Sequence, residues 1–375
     1  MTAEKEKVIV YPFDIQFVPI LRHSCFISDF EIIGLISPSG WGLCGKDAGC
    51  ADYGETIGIK VGSDFEALLE ACDTVIFTES HIPLDFKKNI QPKIDKAVQK
   101  RKNIICTVST GDEFNSIYSM RCKDQGTYFK YYNFTRNEGD ANECEAEYIH
   151  KIDAPVVFVM GMGERAHKFQ IQLDLREHFK RMGYRISQIG SRSYCEMLGF
   201  HSVPAFMYGN CVPDYKKIIL FNHYVKGIEI SEKPDLIIIG IPGGMMPFNN
   251  EFTNRFGITA YEISRAVAAD AVVLSTLYED YKPEYFKELY TVIKYRFGAE
   301  VDCYNLANVK FDWDGSSQNG SATYITIDSR LVDEKRKGFL SLDTPVFNTL
   351  NPDSAGKMAD YLIERLINYG DVESM

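Results

Sequence analysis

Residues 156–190 read VVFVMGMGERAHKFQIQLDLREHFKRMGYRISQIG. The opening run is apolar and rich in β-branched residues, which predicts a buried strand. Gly161 and Gly163 break it, and Lys168 follows seven positions after Gly161. Ile171, Leu175, Phe179 and Met182 then recur at helical spacing, predicting a helix over 168–182 with Gly183 as its cap. YRISQIG reads as the next strand. A strand, a glycine turn and a helix together make an anion site. The first helical N–H groups have no intrahelical partner and the helix dipole is positive there. Glycines let the backbone approach a phosphate, and a lysine beside the turn neutralises its charge.

The spacing departs from a working NTPase loop in two places. GxxxxGK[ST] has a glycine before the lysine and a hydroxyl after it, whereas this chain has His167 and Phe169. Phenylalanine cannot hold Mg²⁺, and Gln170 is a poor substitute for a hydroxyl. The later apolar strand 235–242 ends in Gly240-Ile241-Pro242-Gly243-Gly244, without a carboxylate, and Asp235 stands at its start. Magnesium carries much of the charge developed in phosphoryl transfer, so hydrolysis is expected to be lost or reduced. Three readings stay open: NTP turnover, binding of a nucleotide or another anion without turnover, and a structural turn. The candidate binding residues are Gly161, Gly163, Lys168, Gln170, Arg192, Gly243 and Gly244. ATP or GTP is the candidate ligand, and no resident metal is expected.

Outward from this stretch, strand and helix signals alternate along almost the whole chain. Before it, VIVYPF (8–13), EIIGLIS (31–37), TVIFT (74–78), NIICTV (103–108) and TYFKYY (127–132) read as strands. Helices over 64–72, 86–98 and 114–122 lie between them, the last with Phe114, Ile117, Tyr118 and Cys122 on its apolar side. After it come a helix at 214–226, the strand 235–242, a helix at 258–268, the strand 270–277, a helix at 282–297, a strand within 301–311 and a helix at 353–369. This rhythm predicts an α/β protein with two doubly wound, mostly parallel sheets. The expected division is a Rossmann-like domain over 1–132, a polar acidic linker over 133–154 and a P-loop-NTPase-like domain over 155–375. Two domains also suit 375 residues. The first strand is followed by no GxGxxG, so NAD is not expected.

The net charge of −11 argues against nucleic acid, which needs a basic footprint. No apolar run reaches the roughly 18 residues needed to cross a bilayer, and MTAEKEKVIVYPF lacks the apolar core of a secretion signal. The expectation is a cytoplasmic protein whose ten cysteines are reduced and mostly small packing residues. No CxxC occurs, and nothing in the spacing points to a metal.

Four other stretches carry chemistry. GWGLCGKDAGCADYGE (40–55) follows a strand, where open parallel sheets bind ligands. Cys44, Lys46, Asp47 and Cys50 form a second candidate loop: either a binding nest with a thiol activated by its lysine, or a structured loop covering the sheet edge. SRSYCEMLGFHS (191–202) offers Ser191, Arg192, Ser193 and His201. Arg192 suits a phosphate clamp, and His201 is either functional or a packing histidine. PGGMMPFNNEFTNRFG (242–257) is too apolar to be fully solvated and is expected to close the core, fold over the pocket or meet a peptide. DWDGSSQNG (312–320) reads as an exposed flexible loop, a solvated turn rather than a cation site built on its two aspartates.

Three blocks, YPFDIQFVPILRH (11–23), WGLCGKDAGCADYGE (41–55) and LGFHSVP (198–204), resemble the peptide maturation system family of bacterial ribosomal natural-product gene clusters. The resemblance runs over most of the chain. It implies an accessory role in peptide modification, with a Cys-rich precursor peptide or a radical-SAM maturase as partner, and carries over no catalytic residue. The second half also resembles dethiobiotin-synthetase-like P-loop enzymes, in which Gly, six residues and Lys match Gly161 and Lys168. The resemblance implies their fold, often joined to an N-terminal Rossmann-like domain. The alternative it leaves is an ATP- or GTP-dependent peptide-modifying enzyme, ligase or kinase-like, using Lys168. A thiol enzyme based on Cys44 or Cys50 is a third reading.

Overall fold

The computed structural model describes residues 5–133 and 147–373. It divides into two compact units, Met1–Thr135 with Ser193–Gly199, and Arg136–Arg192 with Phe200–Met375. Residues 134–146, most of the expected linker, lie outside the described residues.

The first unit runs β1 (Glu6–Tyr11), α1 (Val18–Arg22), β2 (Phe30–Ile36), β3 (Val61–Gly62), α2 (Phe65–Ala71), β4 (Thr74–Phe77), α3 (Gln91–Gln99), β5 (Asn103–Cys106), α4 (Asp112–Asp124) and β6 (Phe129–Tyr131). The sheet order is β3-β2-β1-β4-β5-β6, and every pairing is parallel. This is the Rossmann order, with its switch point between β1 and β4. Ile9, Tyr11, Val75, Phe77, Ile104 and Cys106 point to one face, where Phe65, Leu69, Ile94, Val98 and Tyr118 cover them. Ile117, expected on the apolar stripe of α4, is 43 % exposed because the helix meets the sheet through Tyr118 and Cys122.

The second unit runs β7 (Val156–Gly161), α5 (Lys168–Arg181), β8 (Ile186–Gly190), β9 (His201–Ser202), α6 (Asp214–Glu232), β10 (Leu236–Gly240), α7 (Ile258–Ala266), β11 (Ala271–Thr276), α8 (Pro283–Phe297) and β12 (Cys303–Leu306). It continues with β13 (Val309–Phe311), α9 (Trp313–Asn319), β14 (Tyr324–Thr326), α10 (Ser329–Arg336), β15 (Val346–Phe347) and α11 (Pro352–Glu373). Seven strands form a parallel sheet in the order β15-β12-β11-β7-β10-β8-β9, and β13 with β14 form an antiparallel ribbon. All six residues of β7 are buried, as a strand covered on both faces requires. Val157 and Val159 face Ile171, Leu175 and Phe179 of α5 with Met358 and Leu362 of α11. Val156, Phe158 and Met160 face Phe221, Val225, Ile263 and Ile293 of α6, α7 and α8. Phe179 is fully buried, so truncating it to alanine costs about 3–5 kcal/mol.

The fold corrects two local expectations. Met182 ends outside α5 and is 45 % exposed. Residues 313–319 are helical rather than a flexible loop. The Asp312 carboxylate accepts from Gly315 N at 3.0 Å as the N-cap, and Ser316 Oγ accepts from Thr323 N at 2.9 Å. The sequence DWDG was therefore a cap signal. No helix among the described residues is long and apolar enough to cross a membrane.

Candidate functional site

In the second unit the sheet order reverses at β7, whose neighbours are β10 and β11 rather than the next strand in the chain. Open α/β sheets bind ligands outside the carboxyl ends of the strands at such a switch point. The residues leaving β7 there are Gly161 and Gly163, and the residues leaving β10 begin at Ile241.

Lys168 is the first residue of the 14-residue α5 and is only 4 % exposed. Its aliphatic stem lies along Gly161, where an added Cβ would come within 2.8 Å of Lys168 Cδ. Its ammonium donates to the carbonyl of Gly243. Burial is the main cause that pushes the Lys168 ammonium down to about 7. The nearby Arg192 pushes the same way and Glu164 opposes both. His167, just before the helix, is left-handed at φ 54°.

The segment 242–257 covers the turn. Met245 N donates to Gly161 O at 3.1 Å. The Phe248 ring occupies the space over Gly163, where an added Cβ would lie 2.6 Å from Phe248 Cζ. Phe248 and Phe252 continue into a cluster with Ala166, Leu277, Val309, Phe311 and Tyr324. The segment lies over the turn and also closes the core, with Met245 buried beside Val156, Phe158 and Met160. Asn254 Nδ2 donates to Met162 O at 2.8 Å and to Met246 O at 2.9 Å. Its amide fills the space beside Gly244, which has no room for a Cβ.

Asn254, Arg255, Phe256 and Gly257 have φ of 47°, 53°, 55° and 67°. Three consecutive non-glycine residues in the left-handed region cost roughly 1–2 kcal/mol each. Arg296 holds the turn by donating to Phe256 O. Gly257 faces Met245 O, 2.0 Å from where a Cβ would sit.

The other residues of the expected site are placed around this turn. Gln170 is buried, and its Nε2 donates along the helix to Asp174 Oδ1 at 3.1 Å. The Arg192 guanidinium stands 5.7 Å from the centroid of the Phe169 ring. Gly243 is left-handed at φ 70°. Asp235 stands at the opposite end of β10, held by Arg185 Nη2 at 2.6 Å. Among the described residues no group of three or more His, Cys, Asp or Glu could hold a metal ion.

Helix α5 and the neighbouring strand β8 add a buried polar row that the sequence did not suggest. Gln172 is fully buried and donates to Lys168 O at 2.9 Å and to Ser191 Oγ at 3.3 Å. It packs where Gly240 lacks a side chain. Arg176 Nη1 donates to Ile186 O at 3.0 Å. Both polar atoms of the fully buried Gln188 have no hydrogen-bond partner among the described residues. The helical spacing of Lys168, Gln172 and Arg176 was the available signal, masked by the polar appearance of an otherwise ordinary helix. His201 Nε2 pairs with Glu232 Oε1 at 2.5 Å, and Ser187 Oγ donates to the other oxygen of the same carboxylate. The carboxylate sits between serine and histidine, so the arrangement differs from a catalytic triad, in which histidine bridges the two.

The second candidate loop belongs to the first unit. Asp47 accepts from Gly49 N, Ile57 N and Gly58 N at 2.8, 2.9 and 2.8 Å. Its slight burial raises its pKa, but these hydrogen bonds outweigh it and hold the carboxyl below its usual range. Val61 N donates to Lys46 O and Ala48 N to Ile59 O, so the loop closes on itself. Arg22 binds Asp52 through two hydrogen bonds of 2.8 and 2.7 Å, tying 11–23 to 41–55. Cys44 Sγ lies 3.4 Å from Ser37 O, and Cys44 and Cys50 are both free and exposed. At the switch point between β1 and β4, Asp14 accepts from Gln16 N at 2.8 Å and from His81 N.

No protein-family model matches the chain, and no curated protein does. Among solved structures, a DUF1611 family protein from Anabaena variabilis superposes with a TM-score of 0.60 at 12 % identity, covering 97 % of this chain and 100 % of that one. Cobyrinic acid a,c-diamide synthase from Mycobacterium smegmatis, with bound ADP and magnesium, gives 0.33 at 11 % identity over 56 % of this chain and 94 % of that one. Amine dehydrogenase from the same organism gives 0.30 at 14 % identity over 60 % and 62 %. The first shares the two-sheet α/β fold. The other two overlap too little to support an argument.

Proposed function

We propose that the turn after β7 binds a phosphate-bearing, nucleotide-like anion without turning it over. One observation carries this reading: a buried lysine opens a long helix directly behind two glycines, at the point where the parallel sheet reverses its order. The positive end of the helix dipole and the lysine converge there on one small volume. Phe169 stands where a metal-holding hydroxyl is needed, and the residues after β10 bring glycines rather than a carboxylate.

In the wider setting the chain is a cytoplasmic accessory protein of ribosomal peptide maturation, with a Cys-rich precursor peptide or a radical-SAM maturase as partner. The three blocks that resemble that family support this, and two of them meet through Arg22 and Asp52. The alternative is an ATP- or GTP-dependent peptide-modifying enzyme that uses Lys168.

A thermal-shift screen with ADP, ATP and GTP, with and without Mg²⁺, tests the ligand class, because a ligand that binds only the folded state raises the melting point by mass action. The binding reading predicts a shift that does not need Mg²⁺ and vanishes in Lys168→Ala. Mg²⁺-dependent turnover lost in the same variant would favour the enzyme. No shift with any nucleotide would remove the anion site. Pull-down with the co-encoded precursor peptide or maturase tests the partner.

A further inference from the structure

Four contacts join the turn after β7 to the segment 242–257: two occupy what a bound phosphate would use, the Lys168 ammonium and the open side of Gly163, and two tie the segment down through carbonyls of the turn. The Lys168 ammonium is engaged by Gly243 O. The Gly161 carbonyl is taken by Met245 N. The open side of Gly163 is filled by Phe248. The Met162 carbonyl is tied through Asn254 to Met246 O. The segment then reaches α7 through a left-handed turn that Asn254, Arg296, the close seat of Gly257 and the bond from Phe256 N to Thr253 O hold in place. Such backbone persists where surrounding contacts over-determine it, and strain of this kind clusters at clamps and switches.

We propose that residues 242–257 are an autoinhibitory strap on this chain's own anion cradle, with Asn254 as its latch. The inference rests on reading the turn after β7 as an anion site and adds how that site is regulated. In the closed form the Gly243 carbonyl is the stand-in for a phosphate oxygen. Ligand binding requires Lys168 to exchange that carbonyl for the ligand, Phe248 to leave Gly163, and the latch to release. Release also relaxes the turn at Asn254–Gly257, so the strained closed form lowers the cost of opening. The strap then sets affinity through the fraction of molecules already open.

Native-state hydrogen exchange on the wild-type chain, without ligand, is the first test. The strap predicts that the amides of 242–257, including Met245, exchange through a local opening at least about a hundredfold faster than those of β7 and β10. Exchange as slow as in those strands would mean the segment is core, and the strap would be wrong. The second test is acylation of Lys168 by an amine-reactive ester, followed by mass spectrometry. Asn254→Ala and Asn254→Gly both remove the latch; the first is expected to speed labelling about tenfold, and the second, which also removes strain that favours opening, by less but measurably. Two folded variants that label at the wild-type rate would overturn the latch. The outcomes separate the two claims. If ADP raises the melting point but leaves exchange of 242–257 unchanged, the cradle stands and the strap falls. If no nucleotide binds the wild type or the latch variants, the cradle reading falls, while exchange and labelling still decide whether the segment opens.

Discussion

Lys168 and Gly243 lie 75 residues apart in the chain, yet the lysine ammonium donates to the glycine carbonyl. The contact puts a lysine ammonium in a buried site against a neutral carbonyl acceptor. It ties the helix that follows β7 to the segment that follows β10.

Stability should carry the signature of that burial. The folded Lys168 pKa, about 7, is below its ordinary 10.5. Between these values the unfolded chain binds more protons than the folded one, so this group makes stability rise with pH. The contribution is fully present above the unfolded value and is lost as pH falls through about 7. Urea unfolding at pH 6.5 and pH 9.5 should therefore show a rise in the wild type that Lys168→Met lacks, by roughly 1–4 kcal/mol. Equal pH dependence in both proteins would place the ammonium in water.

Glu262 gives the opposite sign. It is 2 % exposed on α7, with Lys217 Nζ at 3.6 Å, and burial raises its carboxyl to about 7 despite the lysine. Between 4.5 and 7 the folded chain binds the extra proton, so stability from this group is present below pH 4.5 and is lost as pH rises through 7. Glu262→Gln should gain on the wild type as pH goes from 5 to 8, by about 1–3 kcal/mol in chemical denaturation. A flat difference would show that the Lys217 pair already compensates the charge.

Asp47 should behave as a loop organiser. Its three main-chain donors predict that Asp47→Ala costs about 1–3 kcal/mol. Alkylation of Cys44 and Cys50 should speed up as the loop opens. Unchanged stability with lost ligand binding would instead make Asp47 a ligand contact.

Gln188 should be replaceable. Both polar atoms are buried without a hydrogen-bond partner among the described residues, so Gln188→Met, close in shape and apolar, should be neutral or stabilising by about 1 kcal/mol. A loss of 2 kcal/mol or more would reveal a bound water or polar ligand that satisfies the amide.

The periodicity of side chains announces local structure because burial imposes it residue by residue. The five apolar residues 156–160 ahead of Gly161 read as a strand covered on both faces, and Ile171, Leu175 and Phe179 as the inner stripe of a helix. That much gave two α/β units and the glycine–lysine turn. The missing hydroxyl at Phe169 and the missing carboxylate after Gly240 were equally legible, because metal chemistry depends on residue type.

Long-range placement was not legible. No pattern in 242–257 states that Phe248 lies on Gly163, that Asn254 reaches Met162 O, or that three non-glycine residues turn left-handed. Helix α9 was missed because its stability comes from the Asp312 cap and the Ser316–Thr323 pairing across a turn. The amino-acid order by itself determined which segments become strands and helices and which residue types stand at the turn after β7. Only the tertiary structure decided what fills that turn. Its contents depend on contacts between residues some 75 to 92 positions apart, made when the sheet brings the ends of β7 and β10 side by side.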